Sequence, residues 1–312
     1  MEFFKKISSI DFMGVRWYAI GVSGLLFTLS LVMLVARGLN LGVDFTGGTV
    51  IEVGYERSID LTAVRKTLDH GGYGEAMVQN FGTTRDVLIR IAPRPGLTNA
   101  MLSDRILGIL RDDAGDNRVN MRRIEFVGPQ VGEELKEAGG MALIFSTLAI
   151  LVYVALRFEY RMALGAIVAM FHDPIIILGL FAGTYIEFDL TVLAALLAII
   201  GYSLNDTVVV FDRIRENFRK LRKNTPEEII NRSVNETLSR TLMTSFATLL
   251  VVVAMYLWGG SVLHGFSLAL LVGIFVGTYS SIFIAAPVAL SLGLDRQALM
   301  PPKKDEEIDA RP

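Results

Sequence analysis

Six blocks of almost uninterrupted apolar residues divide this chain, with polar or alternating sequence between them. A bilayer core about 30 Å thick needs about 20 consecutive apolar residues for one helix to cross it. Each block is close to that length, so the pattern predicts six transmembrane helices. They lie at residues 17–36, 138–156, 162–184, 189–211, 241–258 and 265–292. The last five form a predicted bundle over 138–293, and 1–16 and 294–312 lie outside the membrane as N-terminus and tail.

The long segment between the first two spans, residues 37–137, has a different pattern. β-rich alternating runs and amphipathic helical runs follow one another in it. Asp60 and Thr98 stand at the predicted N-caps of two helices. The elements are strands at 47–55, 76–81, 85–92 and 118–127 and helices at 60–70 and 98–111. Their order, βαββαβ, predicts an inserted domain with the ferredoxin-like split βαβ arrangement.

The distribution of Lys and Arg predicts the orientation of the spans. Residues 1–16, the loop at 157–161 and the segment at 212–240 are basic, whereas the turns at 185–188 and 259–264 contain neither Lys nor Arg. Because short cytoplasmic segments carry the excess of Lys and Arg, both termini are predicted to be cytoplasmic. The inserted domain is then extracytoplasmic.

Composition agrees with a membrane protein and narrows the chemistry. Hydrophobic residues make up 52% of the chain and the mean hydropathy is +0.47. The net charge of −2 gives no sign of a nucleic-acid partner. There is no cysteine, so disulfides and thiolate chemistry are excluded. The three histidines are scattered and no catalytic motif occurs, so we expect no metal, no cofactor and no enzymatic activity.

Ionisable residues inside the spans point most directly to function, because each is costly unless it faces protein or water. Asp206 lies late in the fourth span, beside Asn205 and Thr207. Alternatively, the Asp206 side chain could extend to the nearby membrane surface. Asp173 lies in the third span between His172 and a proline, and this pair could equally stabilise a proline kink.

The fifth span offers a partner for Asp206. Arg240 opens it, and hydroxyl residues that include Thr244 recur at helical spacing behind it. Burial disfavours the charged form of a carboxyl group and a nearby cation favours it, so this pair suits reversible protonation. We therefore take Asp206 as a candidate proton-relay carboxylate tuned by Arg240, with Asn205, Thr207 and Thr244 along the same pathway. Arg240 could also be an ordinary basic anchor at the membrane surface.

Four motifs resemble the SecD/SecF family of the bacterial Sec translocase. The sequence GVDFTGGT follows the first span at 42–49 and contains Asp44, Phe45, Gly47 and Gly48. The other three are FHDP at 171–174, SLNDTVVVFDRIREN at 203–217 and SRT at 239–241. The resemblance covers about residues 12–293, and the length and small inserted domain favour the SecF branch.

This resemblance implies a six-helix bundle of the resistance-nodulation-division (RND) type in the bacterial cytoplasmic, or inner, membrane. It implies a complex with SecD that uses the proton motive force to complete export after the SecYEG channel and SecA have begun it. YajC and YidC, the translocating preprotein and the lipid bilayer are the other implied partners. Asp206 and Arg240 match the family's proton-pathway residues, and the remaining carboxylate of that pathway is expected in SecD.

Two other classes of function stay open. The chain could be half of a proton-coupled RND-type exporter of small molecules or lipids, although a small inserted domain leaves little room for a substrate pocket. It could also be a passive scaffold that stabilises a translocase, against which the polar intramembrane residues speak weakly.

Overall fold

The computed structural model describes residues 9–94, 96–296 and 299. Within this part, six helices are long and apolar enough to cross a membrane. The elements, in chain order, are α1 (Arg16–Ala36), β1 (Asn40–Leu41), α2 (Val43–Thr46), β2 (Gly48–Tyr55), α3 (Leu61–His70), β3 (Met77–Phe81), β4 (Thr83–Ile91), α4 (Asn99–Ala114), β5 (Val119–Val127), α5 (Pro129–Arg157), α6 (Tyr160–Thr184), β6 (Glu187–Phe188), α7 (Leu190–Lys220), α8 (Pro226–Trp258), α9 (His264–Ser280) and α10 (Ala286–Ser291). One π-helical turn, Ser281–Ala285, joins α9 to α10, and the three together make the sixth span.

Three of the long helices continue well beyond the apolar blocks. Helix α5 starts at Pro129, α7 ends at Lys220 and α8 starts at Pro226. Polar residues support these extensions locally, because ion pairs at i,i+4 spacing stabilise an exposed helix. Lys220 pairs with Glu216 at 2.5 Å in this way. The start of α8 has a complete capping box between Thr225 and Glu228. An apolar block therefore marks the intramembrane part of a helix and not its ends.

The bundle has an inner and an outer set of helices. In α6, α7 and the sixth span, 44–50% of the most apolar stretch is buried, against 11–17% in α1, α5 and α8. Small residues bring the inner helices together: a Cβ on Gly277 of α9 would lie 2.9 Å from the Cβ of Ser203 on α7. Close packing through glycine is the usual way for membrane helices to associate. Asp173 of α6 and Ser203 and Asp206 of α7 consequently face the protein interior.

The inserted domain is a four-stranded antiparallel sheet with the order β3-β4-β2-β5. Helices α3 and α4 cover one face, and their apolar side chains join Ile51, Val53 and Ile89 of the sheet in a single core. Asp60 and Thr98 cap the two helices as expected. The predicted split βαβ arrangement is therefore confirmed. The predicted strands at 76–81 and 85–92 leave residues 82–84 for the turn between them. The observed turn is tighter, because Gly82 alone separates the strands, with a positive φ of +77°, and β4 begins at Thr83.

A short connection fixes the domain on the bundle. After α1, residues Asn40 and Leu41 pair in parallel with Glu187 and Phe188, which lie between α6 and α7. Helix α2 then turns the chain into β2. We call these elements, β1, α2 and β6 with the start of α7, the junction.

Candidate functional site

Asp206 lies on the inner side of α7 with 2% of its surface exposed. Its Oδ2 atom is buried and has no hydrogen-bond partner among the described residues. A buried polar atom without a partner is rare in folded proteins and calls for an explanation. The sequence prediction that this carboxyl group faces the protein interior is consistent with this burial.

Arg240 lies on α8 and is exposed on the outside of this chain. Its positive charge acts on the Asp206 carboxyl group, but the two side chains form no ion pair within 4.0 Å in the described structure. Between the helices, Tyr202 donates a hydrogen bond to Ser245 at 3.3 Å, and Ser245 bonds to Thr278 of α9 at 2.8 Å. The cation therefore acts on the carboxylate at longer range than a salt bridge.

The other predicted pathway residues are not assembled around Asp206. The hydroxyl group of Thr207 donates to the carbonyl oxygen of Ser203 on its own helix, at 3.2 Å. The hydroxyl group of Thr244 likewise bonds to backbone oxygens of α8. Asn205 is exposed on the far side of α7. Of the five residues, the structure buries Asp206 and Thr207 and leaves Asn205, Arg240 and Thr244 on the surface of this chain.

Asp173 on α6 has partners at both of its carboxylate oxygens, and it is 0% exposed. Its Oδ2 atom accepts hydrogen bonds from Ser203 of α7 and from Ser280 at the end of α9, the latter at 2.8 Å. Its Oδ1 atom lies 2.8 Å from Nδ1 of His172. His172 and Asp173 were secondary candidates from the sequence, but nothing there singled out the two serines, since serine is common in membrane helices.

His172 completes this cluster on the side of α1. Its ring is stacked with that of Phe27, with 6.2 Å between the centroids. Its Nε2 atom is buried and lacks a partner among the described residues. We refer to His172, Asp173, Ser203 and Ser280 as the Asp173 cluster.

The family motif at 42–49 forms the centre of the junction. Asp44 accepts a hydrogen bond from the backbone N–H of Leu190 at 3.1 Å, and so binds the N-terminus of α7. Phe45 stacks on Phe188 with centroids 6.1 Å apart. Gly47 has φ +67° and ψ 169°, a conformation that is essentially restricted to glycine. These residues link the helix that carries Asp206 to the first strand of the domain sheet.

A buried ion pair also crosses the junction. Arg90 of β4 pairs with Glu187 of β6 and donates a hydrogen bond to the carbonyl oxygen of Leu41 at 2.9 Å. The two charged side chains are only 11% and 21% exposed. No pattern in the sequence predicts this pair, because its members belong to separate predicted domains.

We expect Arg90→Gln to destabilise the chain much more than Glu187→Gln. Removing Arg90 leaves a buried carboxylate unpaired, and breaking a buried pair in this way costs about 3–5 kcal/mol. Glu187→Gln instead keeps an amide oxygen that can accept from Arg90, and Arg90 stays bonded to the carbonyl oxygen of Leu41. Burial raises the pKa of Glu187 above its ordinary value, although Arg90 opposes this. The folded chain then binds the Glu187 proton more tightly than the unfolded chain, so this contribution to stability is present below the ordinary pKa and declines as pH rises through the folded-state value.

Thermal unfolding of the detergent-purified chain over a pH series measures both effects. Arg123→Gln is the matched control, because Arg123 pairs with Glu125 on the exposed surface of the same sheet and such pairs contribute about 0–1 kcal/mol. Equal losses for Arg90→Gln and Arg123→Gln would contradict the prediction.

Among the described residues, no group of three or more His, Asp or Glu side chains is placed to hold a metal ion. Fold and site together define a polytopic membrane protein with a small inserted α+β domain and buried carboxylates in its bundle.

The comparisons with known proteins identify the family. The family described as "Protein export membrane protein SecD/SecF, C-terminal" matches residues 110–295, and the SecD/SecF GG motif matches residues 32–59. The chain is 51% identical to the protein translocase subunit SecF of Vibrio alginolyticus, over 98% of this chain and 97% of that protein. It is 47% identical to SecF of Escherichia coli O157:H7, over 95% and 92%. The chain therefore belongs to the SecF family of protein translocase subunits.

Solved structures agree with this assignment. The chain superimposes on the crystal structure of SecDF from Thermus thermophilus, a translocon-associated membrane protein, with a TM-score of 0.83 and 38% identity. A second SecDF structure, in a super-membrane-facing form, gives a TM-score of 0.69. The match covers 91% and 93% of this chain but only 39% of each SecDF chain.

Proposed function

We propose that this chain acts with SecD as an accessory subunit of the Sec translocase and uses the proton motive force to complete protein export. The observation that carries the proposal is the Asp206 carboxyl group, buried within a span and without a hydrogen-bond partner among the described residues. Ionisable residues in such places mark ion and proton pathways. Arg240 supplies the nearby charge that makes the carboxyl group responsive to helix position.

A second membrane subunit is part of the proposal. The chain spans 39% of the solved SecDF chains, and Asn205, Arg240 and Thr244 are exposed on its surface. Polar side chains in contact with lipid are costly, so these exposed positions suit contact with the spans of SecD better than contact with lipid. SecD would then supply the remaining carboxylate of the pathway.

The location and the remaining partners follow from the same proposal. The basic segments support a topology with both termini on the cytoplasmic side of the bacterial inner membrane, and the inserted domain would lie on the opposite side. There it can reach a preprotein that emerges from SecYEG. YajC and YidC would join the same assembly.

Energy coupling in this scheme begins with protonation of Asp206. One proton that crosses 100 mV releases about 2.3 kcal/mol, enough to bias two arrangements of α7 against each other. The N-terminus of α7 is bonded to Asp44, and Asp44 belongs to the motif that leads into β2. A shift of α7 would therefore be passed to the inserted domain through the junction.

Export in membrane vesicles tests this function. Vesicles from cells that lack their own SecF are supplied with this chain, and translocation of a preprotein is followed with and without a protonophore. We expect the chain to restore the protonophore-sensitive part of export and to copurify with SecD. Export that is restored equally in the presence of the protonophore would favour the passive scaffold.

One observation favours the alternative of an RND-type exporter of small molecules or lipids. A cavity of about 980 Å³ lies between the open face of the domain sheet and the end of the bundle, lined by Phe81, Tyr185, Tyr256 and other residues. An efflux assay with apolar dyes separates the two functions. If Asp206→Asn abolished dye efflux and left protein export unchanged, the result would support the exporter.

A further inference from the structure

The Asp173 cluster ties together the three inner helices of the bundle. Asp173 is on α6, Ser203 is on α7 and Ser280 is the last residue of α9. All three side chains are at most 3% exposed. Because one carboxylate oxygen accepts from both serines, the three helices meet at a single atom, Oδ2 of Asp173.

This contact lies within one helical turn of Asp206. Ser203 precedes Asp206 by three residues, so the two lie on neighbouring turns of the same side of α7. Gly277 packs against Ser203 from α9, where a Cβ would lie 2.9 Å from the serine Cβ. The π-helical turn Ser281–Ala285 begins immediately after Ser280, and such turns are frequent at functional sites.

The hydrogen bonds of the Asp173 carboxyl group are closed within the cluster. A lone charge is costly inside a membrane, and here every partner of this carboxyl group in the described structure belongs to the cluster: His172 at Oδ1, and Ser203 and Ser280 at Oδ2. The other ring nitrogen of His172 is buried and has no partner in the described structure through which a proton could leave.

We propose that Asp173 is a positioning residue, which holds α7 through Ser203 and α9 through Ser280 so that Asp206 keeps its place relative to Arg240. The inference rests on the proposed proton-coupled function and assigns Asp173 no share in proton transfer. What the site requires is therefore an acceptor at Oδ2 and a hydrogen-bond partner for His172, and not a carboxylate charge.

Asparagine meets both requirements. Its amide oxygen can accept from both serines, and its NH₂ group can donate to Nδ1 of a neutral His172. We expect Asp173→Asn to retain proton-dependent export with an unchanged pH midpoint. We expect Asp173→Leu to lower proton-dependent export about tenfold or more, because the variant removes buried hydrogen bonds. We also expect it to shift the pH midpoint of export, because Asp206 then moves relative to Arg240.

The experiment measures protonophore-sensitive export as a function of pH in vesicles that contain the full complex. A purely structural role for Asp173 would lower the amount of complex and leave the pH midpoint in place. The double variant Ser203→Ala/Ser280→Ala leaves Asp173 and His172 intact, and should reproduce the shifted midpoint even if Asp173→Leu does not fold.

Two results would overturn the inference. Loss of export in Asp173→Asn, with normal assembly, would make Asp173 a proton carrier. A wild-type pH profile in the double serine variant would remove its positioning role. Failure of the proposed function is a separate result. In that case export would stay proton-dependent in Asp206→Asn, whichever result the variants of Asp173 give.

Discussion

Replacing Asp206 with asparagine is expected to reduce protonophore-sensitive export to the level of vesicles that lack this chain. The amide has nearly the shape of the carboxyl group but cannot bind or release a proton near neutral pH. Asp206 forms no ion pair and its Oδ2 atom makes no hydrogen bond among the described residues, so the substitution breaks no contact at that atom. We therefore expect full loss of coupling with normal amounts of folded complex.

Asp212→Asn is the matched control on the same helix. Asp212 pairs with Arg157 at 2.7 Å, but both side chains are about 40% exposed. An exposed pair of this kind contributes about 0–1 kcal/mol, and we expect the control to export normally. Proton-dependent export in Asp206→Asn that matches this control would exclude Asp206 as the proton carrier.

Arg240 is expected to behave differently from Asp206. Because its charge acts at longer range than a salt bridge, Arg240→Lys should keep export and Arg240→Gln should impair it. The contrast between Asp206 and Arg240 separates the group that carries the proton from the charge that tunes it.

Periodicity along the chain predicted most of the fold. Apolar blocks of about 20 residues predict membrane helices, and alternation with clear caps at Asp60 and Thr98 located the elements of the inserted domain. The ends of α5, α7 and α8 were not predicted, because there the helix continues through charged sequence on local pairs such as Glu216 with Lys220. A hydropathy pattern cannot detect such extensions.

The candidate site was predicted less completely than the fold. Asp206 and Asp173 were identified because a charge in an apolar block is costly wherever it points. Their partners depend on helix packing: only the tertiary structure brings Ser203 and Ser280 to one carboxylate oxygen. The junction was missed for a similar reason, since β1 and β6 have two residues each and no periodicity can be detected in strands of that length.

The junction also sets a requirement on the proposed coupling, since movement of α7 reaches the domain only if the connection is stiff. The glycines of the family motif make this stiffness possible by letting backbones touch. A Cβ on Gly132 of α5 would lie 2.8 Å from the backbone nitrogen of Gly47. Helix α5, the entry to the second span, is therefore packed directly on the motif.

Gly47→Ala is accordingly expected to cause a large loss of stability at the junction. Its backbone conformation, φ +67° and ψ 169°, costs a residue other than glycine about 1–3 kcal/mol. The added Cβ would also lie 2.7 Å from the Cα of Pro129, and overpacking of this kind adds about 1–3 kcal/mol. Because the opposing atoms belong to the backbone, no side-chain rotation can relieve the contact.

Gly38→Ala separates these two causes. Gly38 has φ +70°, but a Cβ there meets nothing within 4 Å, so only the cost of the positive φ is expected. Thermal unfolding in detergent should rank the wild type above Gly38→Ala and Gly38→Ala well above Gly47→Ala. In vesicles, Gly47→Ala should weaken export at temperatures where the chain is still folded, because a distorted junction no longer passes movement of α7 to the domain. Equal unfolding temperatures for the two variants would show that contact between α5 and the motif does not hold the domain in place.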